Sequence, residues 1–332
     1  MTRLPTLDQV AERAGVSRTA ASRVINNAPH VSRAKREAVE QAIRDLGYHP
    51  NRTARALATS RTDTVVLAIS GERPEIFADP FFAQVIVGVS AAIEETDLHL
   101  ILCLATSVRG QTRLRHLLDR RGVDGMMVMA LRGDDPLARI AEQSGLPTVF
   151  GGRPLRGEPR WFVDADNAGG ARLAVEHLLA RGRRRIVMIN GQTDTNVNDA
   201  RRRGYVEALA LAGLTPPATA DGDFTEPSGY AAATALLADH PDLDAVFAAN
   251  DNMAAGALRA LREAGRAVPD DVAVIGFDDL AIAEQTDPAL TTVHQPVRAL
   301  GREMARMLVS ALAGQEPTPL LLPTRLVVRG SA

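Results

Sequence analysis

From Thr64 to Gly276 the chain alternates short apolar runs with stretches of helical periodicity, and it does so in two successive series. In the first series Val65–Ile69, Leu98–Leu104, Gly125–Met129 and Pro147–Phe150 read as strands. Such runs are apolar on both faces and rich in β-branched residues, which suits strands covered from both sides. Between them, Val85, Val89 and Ile93 recur at four-residue spacing and predict a helix over Val85–Glu94, with another around Leu114–Leu118. The second series sets strands at Arg185–Ile189, Ala245–Ala248 and Val272–Gly276 against helices at Asp199–Ala212 and Asn252–Ala264. Alternation of this kind requires parallel sheets with crossover helices. Two doubly wound halves of similar size place the natural ligand site beyond the carboxyl ends of the strands, in a cleft between the halves.

The first sixty residues do not follow this pattern. Eleven Arg or Lys stand up to Arg61 against five acids, a net charge of +6, whereas the whole chain carries −2 and the remainder therefore −8. A basic head on an acidic body fits a polyanionic partner for the head alone. The length of 332 residues suits two or three domains. Cys103 is the only cysteine, which excludes an intrachain disulfide and a cysteine-rich metal site. Its place in the apolar run Leu100–Leu104 predicts a buried, inert thiol. No apolar segment follows Met1-Thr2-Arg3-Leu4-Pro5, and no stretch is long enough to span a bilayer, so a cytoplasmic protein with no membrane partner is expected.

Within the head, Thr6 with Gln9 matches a capping box, Val10 and Ala14 share a face, and Gly15 suits the left-handed residue that ends a helix. Ser17 then caps a second helix, with Val16, Val24 and Ile25 inward and Arg18, Thr19, Ser22 and Arg23 outward near its start. That is where a recognition helix carries base-reading side chains, and the arginine fork matches guanine O6 and N7. Ser32 is expected to cap a third helix with the apolar stripe Val39, Ile43 and Leu46, stopped by Gly47. Pro50 blocks its continuation. The following Ala-, Arg- and Leu-rich stretch is about two turns long and needs a partner to order. Leu57, flanked by Arg52 and Arg55, suits an apolar wedge between base steps in the minor groove, against the plainer reading of a linker.

The run from Thr6 to Asn26, with Tyr48-His49-Pro50-Asn51 and Ala56-Leu57-Ala58, resembles the lactose-repressor family of bacterial transcription regulators over essentially the whole chain. One departure is Ala20-Ala21, where the family carries Thr-Val before the serine matched by Ser22. The resemblance implies a small all-α helix-turn-helix head and an α/β body like the periplasmic binding proteins, its two doubly wound parallel sheets flanking a ligand cleft. It implies a DNA-binding domain over 1–47, a hinge helix and linker over 48–62, and an effector-binding and dimerisation core over 63–332. That core divides into a first subdomain of about 63–163 plus 294–323 and a second of about 164–293 plus 324–332. The implied DNA contacts are Thr6, Ser17, Arg18, Thr19, Ser22, Arg23, Asn26, Tyr48, Asn51, Arg52, Arg55 and Leu57.

The implied effector contacts are Phe82, Arg153, Arg201, Phe224, Asn250 and Asp278, all just past strand ends or opening a helix. Arg201 stands three residues before Gly204-Tyr205, as the family's cleft arginine does, and Asp278 lies in Val274-Ile275-Gly276-Phe277-Asp278-Asp279. Aspartate and asparagine pair with vicinal hydroxyls, arginine forks onto paired oxygens, and phenylalanine packs on ring faces, a mixture suited first to a sugar or similar polyol and second to a base or nucleoside. Plainer readings exist. Phe82 and Phe224 also suit a core, Asp278 a helix cap, and Arg201 a surface charge in Arg201-Arg202-Arg203. No phosphate loop, nucleophile elbow or His-Glu metal motif is present, and His177 and His294 have no ligand partners at metal spacing, so neither enzyme chemistry, metal nor cofactor is expected. The expected function is a homodimeric repressor that binds double-stranded operator DNA and answers to a small-molecule effector. The chain ends without a leucine heptad, which favours a dimer over a tetramer. The competing reading, a sugar-binding module of the periplasmic type with no transcriptional role, would need export.

Overall fold

The computed structural model describes residues 5–25, 30–48, 61–71 and 79–332. It forms two units, Met1–Thr62 and Asp63–Ala332.

The first unit is a three-helix bundle: α1 (Leu7–Arg13), α2 (Arg18–Ile25) and α3 (Arg33–Leu46). Val10, Ala21 and Val39 are wholly buried at its centre, one from each helix. Ala21, at the position where this chain departs from the family pattern, is thus a core residue. Thr6 and Gln9 form the expected reciprocal box, Thr6 N donating to Gln9 Oε1 at 2.9 Å and Gln9 N to Thr6 Oγ1 at 3.4 Å. Ser17 caps α2 by accepting from Ala20 N at 3.2 Å. Ser32 occupies the cap position of α3 but makes no side-chain cap bond, contrary to expectation. At the other end Gly47 is left-handed, and Tyr48 N donates to Ile43 O at 3.0 Å while Gly47 N donates to Arg44 O at 3.3 Å. This paired closure draws the Tyr48 ring into the core of the bundle.

The second unit holds two six-stranded sheets. The first sheet contains β1 (Thr64–Ile69), β2 (His99–Leu104), β3 (Gly125–Met129), β4 (Thr148–Gly151), β5 (Phe162–Ala165) and β11 (Leu320–Leu322), in the order β11-β5-β4-β3-β1-β2 and all parallel. The second contains β6 (Ile186–Asn190), β7 (Thr219–Asp221), β8 (Ala245–Ala248), β9 (Ala273–Asp278), β10 (Thr291–His294) and β12 (Arg325–Val327). Its order is β12-β10-β9-β8-β6-β7, with β12 antiparallel. Helices α4 (Pro80–Ile93), α5 (Val108–Asp119), α6 (Pro136–Ser144) and α12 (Val297–Leu312) serve the first lobe. The second lobe carries α7 (Asn167–Ala180), α8 (Asn196–Leu211), α9 (Glu226–Asp239), α10 (Asp251–Glu263) and the short α11 (Ile282–Gln285).

The chain passes between the lobes three times: after β5, between β10 and α12, and between β11 and β12. The first two passages fall one or two residues later than expected, because strand pairing holds Asp164 and Ala165 in the first sheet and His294 in the second. Thr324 Oγ1 donates to Asp166 O at 3.2 Å and so ties the third passage to the first. Central strands β1, β3, β6 and β8 are buried along their length, as their uninterrupted apolar sequences require. Strand β2 departs from this. It lies at the sheet edge with Ile101 and Leu102 exposed, so Cys103 is half-buried rather than fully buried.

Candidate functional site

In the head, Arg18, Thr19 and Arg23 are exposed and Ser22 is half-buried on α2. Arg18 Nε lies 3.4 Å from Asp8 Oδ1 across the turn, a solvent-exposed pair that competes weakly with any incoming phosphate. Thr6 and Ser17 are exposed, their hydroxyls engaged in caps, and Thr6 N is itself spent on Gln9 Oε1. Tyr48 is a core residue of the bundle. Asn26, Asn51, Arg52, Arg55 and Leu57, with the expected hinge helix, lie outside the described residues.

In the body, the strand ends of both lobes converge on one buried arginine. Arg201, in the second turn of α8, is 3% exposed. Its Nε donates to Asn167 Oδ1 at 2.9 Å, its Nη2 to Asp278 Oδ1 at 3.1 Å, and its Nη1 to the carbonyl of Ala249. The guanidinium also stacks 3.7 Å from the centre of the Phe277 ring. The network continues both ways. Gln295 Nε2 donates to Asp278 Oδ1 at 2.6 Å. On the other side Asn167 Nδ2 donates to Asp164 Oδ1 at 3.1 Å, and Arg153 Nε donates to Asp164 Oδ2 at 3.0 Å. A chain of hydrogen bonds therefore runs from Arg153 in the first lobe to Asp278 in the second. Asn167 opens the second lobe just after the first passage, and Gln295 lies in the second passage. The chain of hydrogen bonds therefore borders two of the three passages between the lobes.

Electrostatically the site is a buried cation among carboxylates. Burial lowers the Arg201 pKa from its usual value, opposed by Asp278, yet a guanidinium stays charged. Burial pushes the Asp278 carboxyl up to about 6, with Arg201 opposing and Asp79 reinforcing the rise. Asp164 and Asp79 are raised by burial as well, and Asp251, wholly buried, is raised well above the usual range by burial and by neighbouring Asp278. Taking such charges out of water is costly, and the hydrogen bonds just described offset the cost only as a complete set.

The turn after β9 is held in an unusual shape. Asp278 has φ of 107° and Asp279 a φ of 58°, a region L-residues rarely adopt. Five contacts fix it: Arg201 and Gln295 on Asp278, Arg329 Nη2 on Asp279 Oδ1 at 2.7 Å, His294 Nδ1 on Asp279 Oδ2 at 2.9 Å, and Leu280 N on Asp251 Oδ2 at 2.8 Å. Strain at a strand end persists where the surroundings over-determine it. Asp278 is thus a tethered strand terminus, not a helix cap, since α11 has no side-chain cap bond.

The remaining expected residues divide. Phe224 has φ of 70° and is half-buried against Gly191, where a Cβ would stand 2.1 Å from its ring. Asn250 caps α10 by accepting from Met253 N at 2.9 Å and donates to Phe224 O at 2.9 Å, and so ties the Phe224 turn to the start of α10. Phe82 is half-buried in the first lobe's core, edge-on to Phe81 with ring centres 5.2 Å apart. Asp79, Asp164, Asn167 and Gln295 were not anticipated. Asp79 stood beside a residue that was, in Asp79-Pro80-Phe81-Phe82, and its signal was the cap position before a proline.

Residues 6–51 match the model for bacterial regulatory proteins of the lacI family, and residues 175–332 match the periplasmic binding protein-like domain. The transcriptional regulator CelR of Thermobifida fusca is 47% identical over 336 residues, covering 99% of this chain and 98% of that protein. The chain belongs to the lacI family. Among solved structures, a CelR–cellobiose complex is 45% identical with a TM-score of 0.79, covering 99% of this chain and 100% of that one. The lac repressor dimer bound to operator and the anti-inducer ONPF is 30% identical with a TM-score of 0.85, covering 99% of both chains. This lacI-family member is an effector-controlled, DNA-binding transcriptional regulator, which removes the reading of a binding module without a transcriptional role. Among the described residues no helix is long and apolar enough to cross a membrane.

Proposed function

We propose that the protein is a homodimeric repressor whose cleft takes a neutral saccharide, and that the saccharide changes operator affinity by resetting the angle between the lobes. In this reading residues 1–47 dock on DNA, 48–62 link, and 63–332 bind effector and pair with a second copy. Helix α2 enters the major groove with Arg18, Thr19, Ser22 and Arg23 facing base edges, while the helix starts marked by Thr6 and Ser17 face phosphates. Each head reads one half of a near-palindromic site, since two-fold symmetry in the protein is mirrored in the DNA. The lac repressor neighbour is a dimer on its operator, which supports both statements. Asn26, Asn51, Arg52, Arg55 and Leu57 join this proposal on their sequence motif alone.

The observation that carries the effector reading is the hydrogen-bonded chain Arg153–Asp164–Asn167–Arg201–Asp278–Gln295, because it spans both lobes and two of the three passages between them. Arg201 is already neutralised by Asp278, so it offers no net cation to a phosphate or carboxylate ligand. Carboxylates and amides aimed at a cleft suit hydroxyls instead. Phe224 supplies a flat apolar face for a ring, held by Asn250. The CelR neighbour was solved with cellobiose, which supports this ligand class. A ligand that binds one lobe angle more tightly shifts the equilibrium by that difference in affinity.

The test is retention of genomic DNA fragments by the intact protein at increasing salt, with and without cellobiose. Fragments should be retained, binding should weaken steeply with salt, and the sugar should release them. Absence of any retained fragment at low ionic strength would overturn the DNA reading. Arg23→Ala should weaken the retained fragment by about 1–3 kcal/mol in a titration, and unchanged affinity would remove Arg23 from the base-reading set.

A further inference from the structure

The passages between the lobes gather at one edge of each sheet. The first and third leave β5 and β11, neighbours at an edge of the first sheet. The second and third meet β10 and β12, neighbours at an edge of the second. Helix α7, which receives the first passage, packs on those same two strands. A second tie between the lobes lies away from these edges. Arg132 Nε donates to Asp194 Oδ1 at 3.1 Å, and Gly133 N donates to Asp194 O at 2.6 Å, joining the loop after β3 to the loop after β6. Strand β3 stands two strands in from β5, and β6 three strands in from β10. At the usual strand spacing that is about 10 Å along one sheet and about 14 Å along the other.

We propose that Arg132, Gly133 and Asp194 form a clasp that holds the lobe angle of this structure, and so enters the balance between the angle preferred by operator and the angle preferred by effector. The proposal rests on the lobe-angle reading above and adds the residues that bias the angle before either ligand is bound. A turn of about 10° about the passages moves groups at that distance by about 2 Å relative to one another, which takes both bonds out of hydrogen-bonding range. Bonds beside the passages, such as Asn167 to Asp164 and Thr324 to Asp166, move far less in the same turn. The clasp is therefore made at one angle and broken at another, whereas those bonds persist.

Both sides of the clasp are held in place. Asp194 directly precedes Thr195, which caps α8 by accepting from Asn198 N at 3.3 Å, and α8 carries Arg201. On the other side Asp135, three residues after Arg132, caps α6 by accepting from Leu137 N at 2.8 Å. The loop between β3 and α6 is left-handed at Ala130, with φ of 62°, and at Gly133, with φ of 45°. Left-handed backbone disfavours an alanine and persists where surrounding contacts over-determine it. The ion pair itself is partly solvated, with Arg132 29% and Asp194 42% exposed, so the clasp biases the angle and does not lock it.

The experiment measures two affinities of the intact protein: cellobiose by calorimetric titration, and a retained operator fragment by fluorescence anisotropy without sugar. Both are repeated on Arg132→Ala, Asp194→Ala and the double variant, after thermal melts confirm that each folds. Each substitution removes the side-chain bond and keeps the backbone one. The two affinities should move in opposite directions, and their ratio should change by about two- to fivefold, the scale of one partly exposed ion pair. The double variant should change the ratio no more than either single variant, because the same bond is lost once. Equal losses in both affinities, a change for cellobiose alone, or a double effect equal to the product of the single ones would overturn the clasp while leaving the saccharide reading in place. Failure of the wild type to bind cellobiose or to retain operator would instead overturn that reading and the clasp with it.

Discussion

The two lobes share a winding pattern, yet their strand ends are finished in opposite ways. In the second lobe the candidate groups are buried and tied: Arg201 is 3% exposed, Asp278 sits in a strained turn fixed by five contacts, and Asn250 is spent on a helix cap and on Phe224. In the first lobe the corresponding arginines remain in contact with water, Arg153 at 36% and Arg132 at 29% exposure. The second lobe thus holds its groups in place before anything binds, while those of the first remain in contact with water.

The sharpest way to break the comparison is to remove each lobe's arginine in turn. Arg201→Ala leaves Asp278 and Asn167 buried without their partner, and urea unfolding should show a loss of about 3–5 kcal/mol. Arg153→Ala removes a partly solvated pair and should cost about 1 kcal/mol. Equal losses would mean that the lobes are not finished differently. Next in size, Gly191→Ala puts a methyl group into the Phe224 ring, so the ring must move. Stability should fall by about 1–3 kcal/mol, and the same titration should show weaker saccharide binding.

The pH dependence tests the buried carboxylates. Between the usual aspartate range and about 6, folded Asp278 keeps a proton that the unfolded chain has released. Stability therefore falls as pH rises through that window and is level in this group's contribution above it. Comparison of the wild type with Asp278→Asn isolates the term, which is at most about 1.4 kcal/mol per pH unit. Identical slopes for the two proteins would show that Asp278 does not titrate there. The smallest effect is expected at the first lobe's edge. Cys103→Ser, on exposed β2, should cost under about 1 kcal/mol in the same unfolding measurement, where a serine in a central strand would cost more.

The elements were legible because their signals are local. Gly125–Met129 and Ala245–Ala248 read as strands and are strands with those bounds, and Thr6, Gln9, Gly15, Ser17 and Gly47 marked helix ends through their own side chains or dihedrals. Strand order was not legible, and this misplaced Cys103: an apolar run reads the same whether its strand is central or, like β2, at an edge. The same limit explains the site. Arg201 and Asp278 stand in recognisable spacings. Asp164, Asn167 and Gln295 acquire their roles only when β5, α7 and the passage after β10 are brought together, and nothing within a few residues of any of them records that. Tyr48 is the reverse case, a residue expected at the DNA surface whose backbone bond to Ile43 turns its ring inward.

The central claim is that occupancy of the cleft sets affinity for DNA through the Arg201–Asp278 pole. The most direct measurement is fluorescence anisotropy of a retained operator fragment, titrated with wild-type protein and with Asp278→Ala, each with and without cellobiose. The ratio of the two affinities should be about tenfold or more for the wild type, within the usual range of allosteric coupling, and close to one for the variant. An equal ratio in both proteins would contradict the account.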